Sequence, residues 1–459
     1  MAQDSRIEGQ IMPRKIVIIG ANASGVDAAS AARKTDRTAE ITLINKEENV
    51  GYSRCGLPFV IGGHIPSFKD LIVFPPNFYQ MMKLNVMIET TVTSIDSEKK
   101  TINTLDKAGN TREVPYDSLI LATGAYSFIP PIKGREKQGV FALRTISDGK
   151  HIDQAIRNGA HNSVVIGAGL IGLEAAIALK ERGLNTTVVE LLPQVLPVML
   201  DKDMAKSVHE MLEQKGLRII VGKGVEEIIG AEKVTGVLVS GEQIPADIVI
   251  VATGVRANTE LATKAGVATG PTHALKTNAR METNLKDTYA VGDCAETINL
   301  ITKKPACPQL GTVAVRQAKV AGINAAGGYA LFAGVLGSAV TQLFDTQIGV
   351  TGLTEFFAKR EGIQTVSGTI TSKTKADYYP TAKGIRIKLI VEKESQRIIG
   401  GQIVAGEEVT QRINALSFAI QKHMTIQDLA KADTAYAPPL NETWEPMVLA
   451  AEIALRKLR

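Results

Sequence analysis

An α/β fold with two Rossmann-like dinucleotide-binding domains, the second inserted in the first, and a C-terminal α+β tail is what this sequence predicts. Three observations carry that expectation. The same βαβ plan occurs twice, each time as a β-branched run, a glycine-rich turn, an alanine-rich helix and a second β-branched run. Two apolar runs with the same Ala-Thr-Gly ending, at 119–124 and 248–254, bracket the second copy as if it had been inserted into the first. From about residue 334 the pattern changes to alternating strands at 347–352, 365–371, 385–391 and 398–404, then helices from 408 onward, with no dinucleotide turn. A chain of 459 residues suggests about three domains. Its 41 glycines suit tight βα turns and close approach of backbone to a ligand.

The first copy runs through Lys15 to Ile19, the turn Gly20-Ala-Asn22-Ala-Ser24-Gly25, a helix to about Lys34 and a strand over 40–44. Asn22 stands where a central glycine is usual and Asn45 where a ribose-binding acid is expected. With Lys46 and the strand end Ala122-Thr123-Gly124, these residues are the expected dinucleotide contacts of the first fold. The second copy has a strand over 163–166, the turn Gly167-Ala-Gly169-Leu170-Ile171-Gly172, a helix to about Arg182 and a strand over 186–189. Glycines are needed there because side chains would keep a pyrophosphate from the backbone amides at the helix N-terminus. Glu190 ends the second strand, where its carboxylate can accept both hydroxyls of an adenosine ribose. It would repel a ribose phosphate, and Leu191 and Leu192 supply no cation, which favours NADH over NADPH. Gly254 closes the second unit.

After the insertion, Thr288-Tyr-Ala-Val-Gly292-Asp293 is an apolar strand ending in an acid, followed by an amphipathic helix over 311–327 that opens with Gly311 and Thr312. A carboxylate at Asp293 can hold the sugar-alcohol chain of a flavin. Two dinucleotide folds call for two dinucleotides, so FAD is expected in the first and NADH or NADPH in the second. The expected limits are a flexible leader at 1–12, the FAD-binding domain at 13–124 and 254–333, the NAD(P)H-binding domain at 125–253, and the tail at 334–459.

Gly51-Tyr-Ser-Arg54-Cys55-Gly-Leu-Pro58 directly follows the first βαβ unit, so a helix starting here would lie beside the first cofactor. A thiol at a helix N-terminus next to Arg54 is expected to have a lowered pKa and to exist largely as thiolate. Position 60 is Val60, which excludes a CxxxxC pair, so the redox partner of Cys55 must be a small thiol, a sulfenic oxygen or a persulfide sulfur.

The remaining composition narrows the class. A net charge of +5 among 52 basic and 47 acidic side chains gives no argument for a nucleic-acid or membrane partner. Cys55, Cys294 and Cys307 are too far apart in sequence for a disulfide framework or a metal cluster and read as reduced thiols of a cytoplasmic protein. No signal peptide is visible, and the longest apolar stretch, 164–179, is broken by glycines and Glu174, so no membrane span is expected.

Cys55-Gly-Leu-Pro58 with Ile61-Gly-Gly, Phe141-Ala-Leu-Arg144-Thr, the two Ala-Thr-Gly strands, Val291-Gly-Asp293 and Ala435-Tyr436-Ala-Pro-Pro439 together resemble the pyridine nucleotide-disulfide oxidoreductases. The resemblance is to the single-cysteine branch containing coenzyme A disulfide reductase, NADH oxidase, NADH peroxidase and CoA-dependent NAD(P)H sulfur reductases, from about Lys15 to the C-terminus. It implies that the tail is a dimerisation domain of a homodimer. It further implies that electrons pass through flavin to Cys55 and on to a disulfide, persulfide or polysulfide, most in the manner of coenzyme A disulfide reductase. Tyr378 and Tyr436 match two tyrosines that act from the neighbouring subunit. Arg33 and Lys34 match a basic site for the phosphates of coenzyme A, with Arg54 beside the substrate. Glu174 matches a glutamate that reaches towards the flavin, although the lysine it pairs with in two-cysteine relatives is missing. Ala23 stands where peroxidases and water-forming oxidases resembling this turn carry a histidine, which weakens the alternative of an NADH oxidase or peroxidase cycling through a sulfenic acid. A flavin-containing NADH sensor or interaction protein is the other alternative. Gly51 replaces a usual serine and Arg54 a usual asparagine or small residue, which suggests a pocket for another substrate.

Overall fold

The computed structural model describes residues 12–458, so all of the expected leader except Met12 lies outside the described residues. The first fold is a parallel sheet with strand order Thr288–Ala290, Ser118–Leu121, Lys15–Ile19, Glu40–Ile44, Leu84–Met87. Its central strand is covered on both faces, which is why it reads as an unbroken β-branched run: Ile16 and Ile18 are fully buried and Val17 nearly so. The second fold repeats the plan, with order Arg218–Val221, Asn185–Glu190, Asn162–Ile166, Ile248–Val251, Val140–Phe141. Where the chain leaves the first fold and where it returns, Ala125–Ser127 and Val255–Ala257 pair antiparallel as a two-stranded ribbon. The helices Ala23–Thr35 and Gly311–Ala325 pack closely in the first fold. Gly322 makes that approach possible, since a Cβ there would lie 2.2 Å from the Ala28 carbonyl oxygen.

The tail is a five-stranded antiparallel sheet, order Ala339–Leu343, Thr346–Gly352, Ile398–Ala405, Gly384–Glu392, Thr365–Lys373, backed by the helices Val409–Gln421 and Pro446–Leu458. Two three-stranded antiparallel sheets were not anticipated: Thr90–Asp96, Thr101–Asp106, Thr111–Pro115, and Glu227–Ile229, Gly236–Val239, Glu242–Pro245. No helix among the described residues is long and apolar enough to cross a membrane.

A buried ionic cluster fixes the tail to the second fold. Lys388 Nζ lies 2.6 Å from Glu355 Oε2, 2.8 Å from Asp203 Oδ1 and 3.3 Å from Asp201 Oδ2. The Asp201 carboxylate also accepts from Gln402 Nε2 at 2.6 Å and from the Glu355 and Phe356 amides at 3.1 and 3.2 Å, so it caps a helix of the neighbouring domain.

Candidate active site

A continuous cleft of about 2820 Å³ runs from the Gly20 turn past Cys55 to the Gly167 turn and Glu190. It is lined by Gly20, Asn22, Ser24, Asn45, Lys46, Arg54, Cys55, Ala122, Thr123, Gly124, Asp293, Gly311 and Thr312, and by Gly167, Gly169, Leu170, Ile171, Glu174, Glu190 and Gly254. Gly25, Gly172 and Gly292 lie behind its surface and serve packing: a Cβ on Gly25 would lie 1.8 Å from the Gly20 carbonyl oxygen, and one on Gly172 2.0 Å from that of Gly167.

The two turns are built alike. Gly20 and Gly167 have φ of +107° and +110°, and a Cβ on either would strike the carbonyl oxygen of Ala122 or Ala252. A Cβ on Gly169 would meet nothing, so this glycine leaves space for a ligand against the backbone. Glu190 Oε2 accepts from the Ala168 amide at 2.7 Å and Oε1 from the Leu192 amide at 2.8 Å, which fixes the carboxylate at the cleft wall with one lone pair left on each oxygen. Asn45 does the same work in the first fold. Its Oδ1 accepts from the Ala21 amide at 3.4 Å and its Nδ2 donates to the Glu47 and Asn49 carbonyls. Its amide hydrogens are therefore spent on the turn, and only Oδ1 can serve a ribose hydroxyl. Asn22 caps the helix through Ala23 N at 3.0 Å, and its buried Nδ2 has no partner among the described residues. An orphaned donor at the N-terminus of a 13-residue helix fits a diphosphate, so the residues present suit the two dinucleotides. Lys223 was missed in the sequence: it lines the Glu190 end of the cleft, brought there by its amide bonding the Glu190 carbonyl at 3.2 Å.

Cys55 lies in a 3₁₀ turn, Arg54–Gly56, ahead of the five-residue helix Leu57–Ile61, and is exposed to the cleft. Gly51 anchors this segment, its amide bonding the Ala21 carbonyl at 2.8 Å and its carbonyl accepting from Val73 and Phe74. The glycine has a steric reason: φ is +60° and a Cβ would lie 2.3 Å from Tyr79 Oη. The expected activation by Arg54 is corrected. Arg54 Nη2 pairs with Glu47 Oε1 at 2.7 Å, Glu47 Oε2 accepts from Tyr52 Oη at 2.7 Å, and the guanidinium stacks 5.6 Å from the Tyr52 ring centre. The thiol is raised, not lowered: enclosure by the cleft walls comes first, then the charges of Glu174 and Asp293, with Arg144 opposing them.

Asp293 meets Arg144, whose Nη2 donates to Oδ2 at 2.8 Å. Arg144 stood in a quoted motif with no role assigned. Glu174 Oε1 accepts from Thr341 Oγ1 at 2.7 Å, and burial pushes its carboxyl above the usual range. Nothing in the sequence pointed to Thr341. Cys294 is buried, its thiol donating to the Leu121 and Val291 carbonyls, and burial pushes the Cys307 thiol up to about 12.

Four expected residues lie away from this cleft. Tyr378 and Tyr436 are exposed on the tail with their hydroxyls 3.2 Å apart. Arg33 is not the free phosphate-binding cation expected: it donates to the carbonyls of Met82, Asp36, Arg37 and Lys83, closing the end of its own helix and that of Pro76–Met81. Lys34 next to it is exposed.

Two linked dinucleotide turns, the exposed thiol of Cys55 between them and an acid at the polyol position define a nicotinamide-dependent flavoprotein reductase. Comparison with known proteins places it more closely. Residues 14–318 match the family model for pyridine nucleotide-disulphide oxidoreductases, and residues 338–448 match the dimerisation domain of that family. The chain is 47% identical over 446 residues to an NADH oxidase of Methanocaldococcus jannaschii, covering 97% of this chain and 99% of the relative. It is 35% identical to a CoA-dependent NAD(P)H sulfur oxidoreductase of Pyrococcus furiosus, covering 96% and 99%. A solved structure of an NAD-dependent persulfide reductase from A. fulgidus superposes with a TM-score of 0.94 at 40% identity, covering 96% of this chain and 83% of the other. The chain belongs to the pyridine nucleotide-disulfide oxidoreductase family, with FAD and NAD(P)H as its cofactors and a C-terminal dimerisation domain through which it forms a homodimer.

Proposed function

We propose that this protein uses NADH to reduce a low-molecular-weight disulfide, persulfide or polysulfide at Cys55, with coenzyme A disulfide as the leading substrate. The observation that carries this reading is the thiol of Cys55, exposed in a cleft that no histidine lines among the described residues, between turns suited to FAD and NADH. Bound FAD supplies the two-electron relay between nicotinamide and thiol. Gly20, Asn22, Ser24, Asn45, Lys46, Asp293, Gly311 and Thr312 hold it, while Gly167, Gly169 and Glu190 hold the nicotinamide dinucleotide. Cys55, once ionised, attacks one sulfur of the substrate; a mixed disulfide forms and the first thiolate leaves. Two electrons from NADH and one proton then release the second thiol and leave Cys55 as the thiolate, which a second proton returns to the thiol.

Tyr378 and Tyr436 serve the partner subunit's cleft, where a hydroxyl protonates the leaving thiolate. Their exposure and their absence from the lining of their own chain's cleft support this. Since Arg33 is committed to carbonyls, Lys34 is the cation of that helix end left for coenzyme A phosphates. The domain limits are 13–124 with 254–333, 125–253 and 334–459, and three free thiols suit the cytoplasm. The name of the M. jannaschii relative favours a second reading, oxygen reduction through a Cys55 sulfenic acid.

The test is Cys55→Ser. Disulfide and polysulfide turnover should fall to background while flavin content and its bleaching by NADH stay intact. Full turnover in the variant would sink the assignment. The mass of the wild-type adduct on Cys55, whether coenzyme A, one sulfur or one oxygen, separates the two readings.

A further inference from the structure

Arg144 lies between the strand Val140–Phe141 and the helix Ile146–Arg157. Its backbone is fixed at both ends. The N–H donates to Asp148 Oδ2 at 3.0 Å, the oxygen that also accepts from Thr145 N at 2.7 Å in the capping box, and the carbonyl accepts from Arg54 Nη1 at 3.4 Å. The second contact joins it to the residue preceding Cys55. From that base the side chain enters the cleft, Nε donating to the Ala125 carbonyl at 2.9 Å and Nη2 to Asp293 at 2.8 Å, with 17% of its surface exposed.

We propose that Arg144, not Arg54, supplies the positive charge that governs ionisation of Cys55, with Asp293 as the carboxylate that moderates it. This rests on Cys55 being the redox thiol. Arg54, although adjacent, is neutralised by Glu47 and stacked on Tyr52, so its charge is spent locally. Glu174 from the helix Leu170–Glu181, Asp293 from the turn after Thr288–Ala290 and Arg144 line the same cleft as Cys55, the two carboxylates raising its thiol and the guanidinium lowering it. Most other charges on elements packed against the Cys55 helix are occupied, while Lys69, Lys150 and Lys180 form no ion pair among the described residues. Asp148 caps its own helix, Asp153 pairs with Arg157 and Arg182, Glu181 pairs with His64, and Asp70 accepts from Ser67, with Lys69 beside it on the same turn. Two carboxylates oppose the thiolate and one guanidinium favours it. Removing that guanidinium would leave the thiolate facing uncompensated negative charge, and only the thiolate attacks a disulfide.

The test is the rate of Cys55 alkylation by iodoacetamide in the holoenzyme between about pH 6 and pH 9. The Cys55 peptide is read by mass spectrometry so that Cys294 and Cys307 do not contribute. Arg144→Gln should alkylate about tenfold more slowly at neutral pH, with its pH profile displaced upward. Arg144→Lys should stay within about threefold of the wild type, because a cation is retained, and Arg54→Gln, which loosens only one backbone anchor of Arg144, should lose less than Arg144→Gln. Asp293→Asn, compared at equal flavin content because Asp293 is assigned to the FAD site, should alkylate faster, and it carries the test if Arg144→Gln does not fold. A wild-type rate in Arg144→Gln, a larger loss in Arg54→Gln, or no gain in Asp293→Asn would each overturn the proposal. Failure of Cys55→Ser to abolish turnover would sink the redox assignment alone, since the alkylation ratios do not depend on it.

Discussion

Glu190→Gln is the substitution that most directly tests the reading of the second turn. The wild-type carboxylate holds two backbone amides at 2.7 and 2.8 Å and is 8% exposed, so it cannot turn away from the cleft. Glutamine has one carbonyl oxygen, which can satisfy Ala168 or Leu192 but not both, and its NH₂ then faces the other N–H as donor to donor. At least one charge-assisted bond, together with the acceptor for a ribose hydroxyl, is lost. A bond to a charged group contributes about 1.5–3 kcal/mol, which converts to roughly a ten- to hundredfold rise in KM for NADH. For NADPH the effect has the opposite sign. A ribose phosphate about 5 Å from the carboxylate meets about 3 kcal/mol of repulsion per unit charge at an effective dielectric near 20. Removing the charge lifts that barrier, and Lys223 at the same end of the cleft then favours the phosphate. The NADH to NADPH ratio of kcat/KM should therefore fall by more than about a hundredfold. Steady-state kinetics with both nucleotides would measure it, with flavin absorbance recorded to verify that the first fold is intact. A variant with NADH kcat/KM within twofold of wild type, or with an unchanged ratio, would refute the assignment of Glu190.

Asp201→Ala should destabilise the protein by about 3–5 kcal/mol, because it removes one carboxylate from a buried ionic cluster and uncaps two amides of the neighbouring domain; a loss below about 1 kcal/mol in denaturant titration would show that the cluster does not hold the domains together. Burial raises the Glu174 carboxyl, so the folded state keeps its proton to higher pH than the unfolded chain does, and stability is lost as pH rises from the ordinary carboxyl range through the folded value. Glu174→Gln should abolish that decline, with melting temperatures equal to wild type near pH 4 and higher at neutral pH, and parallel melting profiles would contradict the argument.

The frame of the molecule was legible because the central parallel strands, Lys15–Ile19 and Asn162–Ile166, are buried on both faces and so are written in β-branched runs, ending in turns where Gly20 and Gly167 have no substitute. The two small antiparallel sheets escaped because short, half-exposed strands such as Thr90–Asp96 carry threonine, serine and aspartate and read as loop. At the site, residue types were readable and pairings were not. Arg54 is adjacent to Cys55 in sequence, yet the intervening turn delivers its charge to Glu47. The partners that do matter come from far along the chain: Arg144 meets Asp293 across 149 positions, and Glu174 meets Thr341 across 167. Arg33 misled for a related reason, since a basic residue at a helix end serves carbonyls as readily as a ligand's phosphates.

These pairings bear on why a raised thiol suits the proposed chemistry. A cysteine held as a permanent thiolate in an open cleft would be alkylated and oxidised by adventitious electrophiles. Enclosure and two carboxylates raise the Cys55 thiol above its ordinary range, and the balance between Asp293 and Arg144 is the element that a ligand can alter. Any group that hydrogen-bonds the Asp293 carboxylate, as a polyol hydroxyl would, withdraws negative charge from the vicinity of the sulfur and leaves the guanidinium less compensated. On the proposal that Arg144 sets the charge at Cys55, occupancy of the first dinucleotide site and reactivity of the thiol would be coupled through this one ion pair.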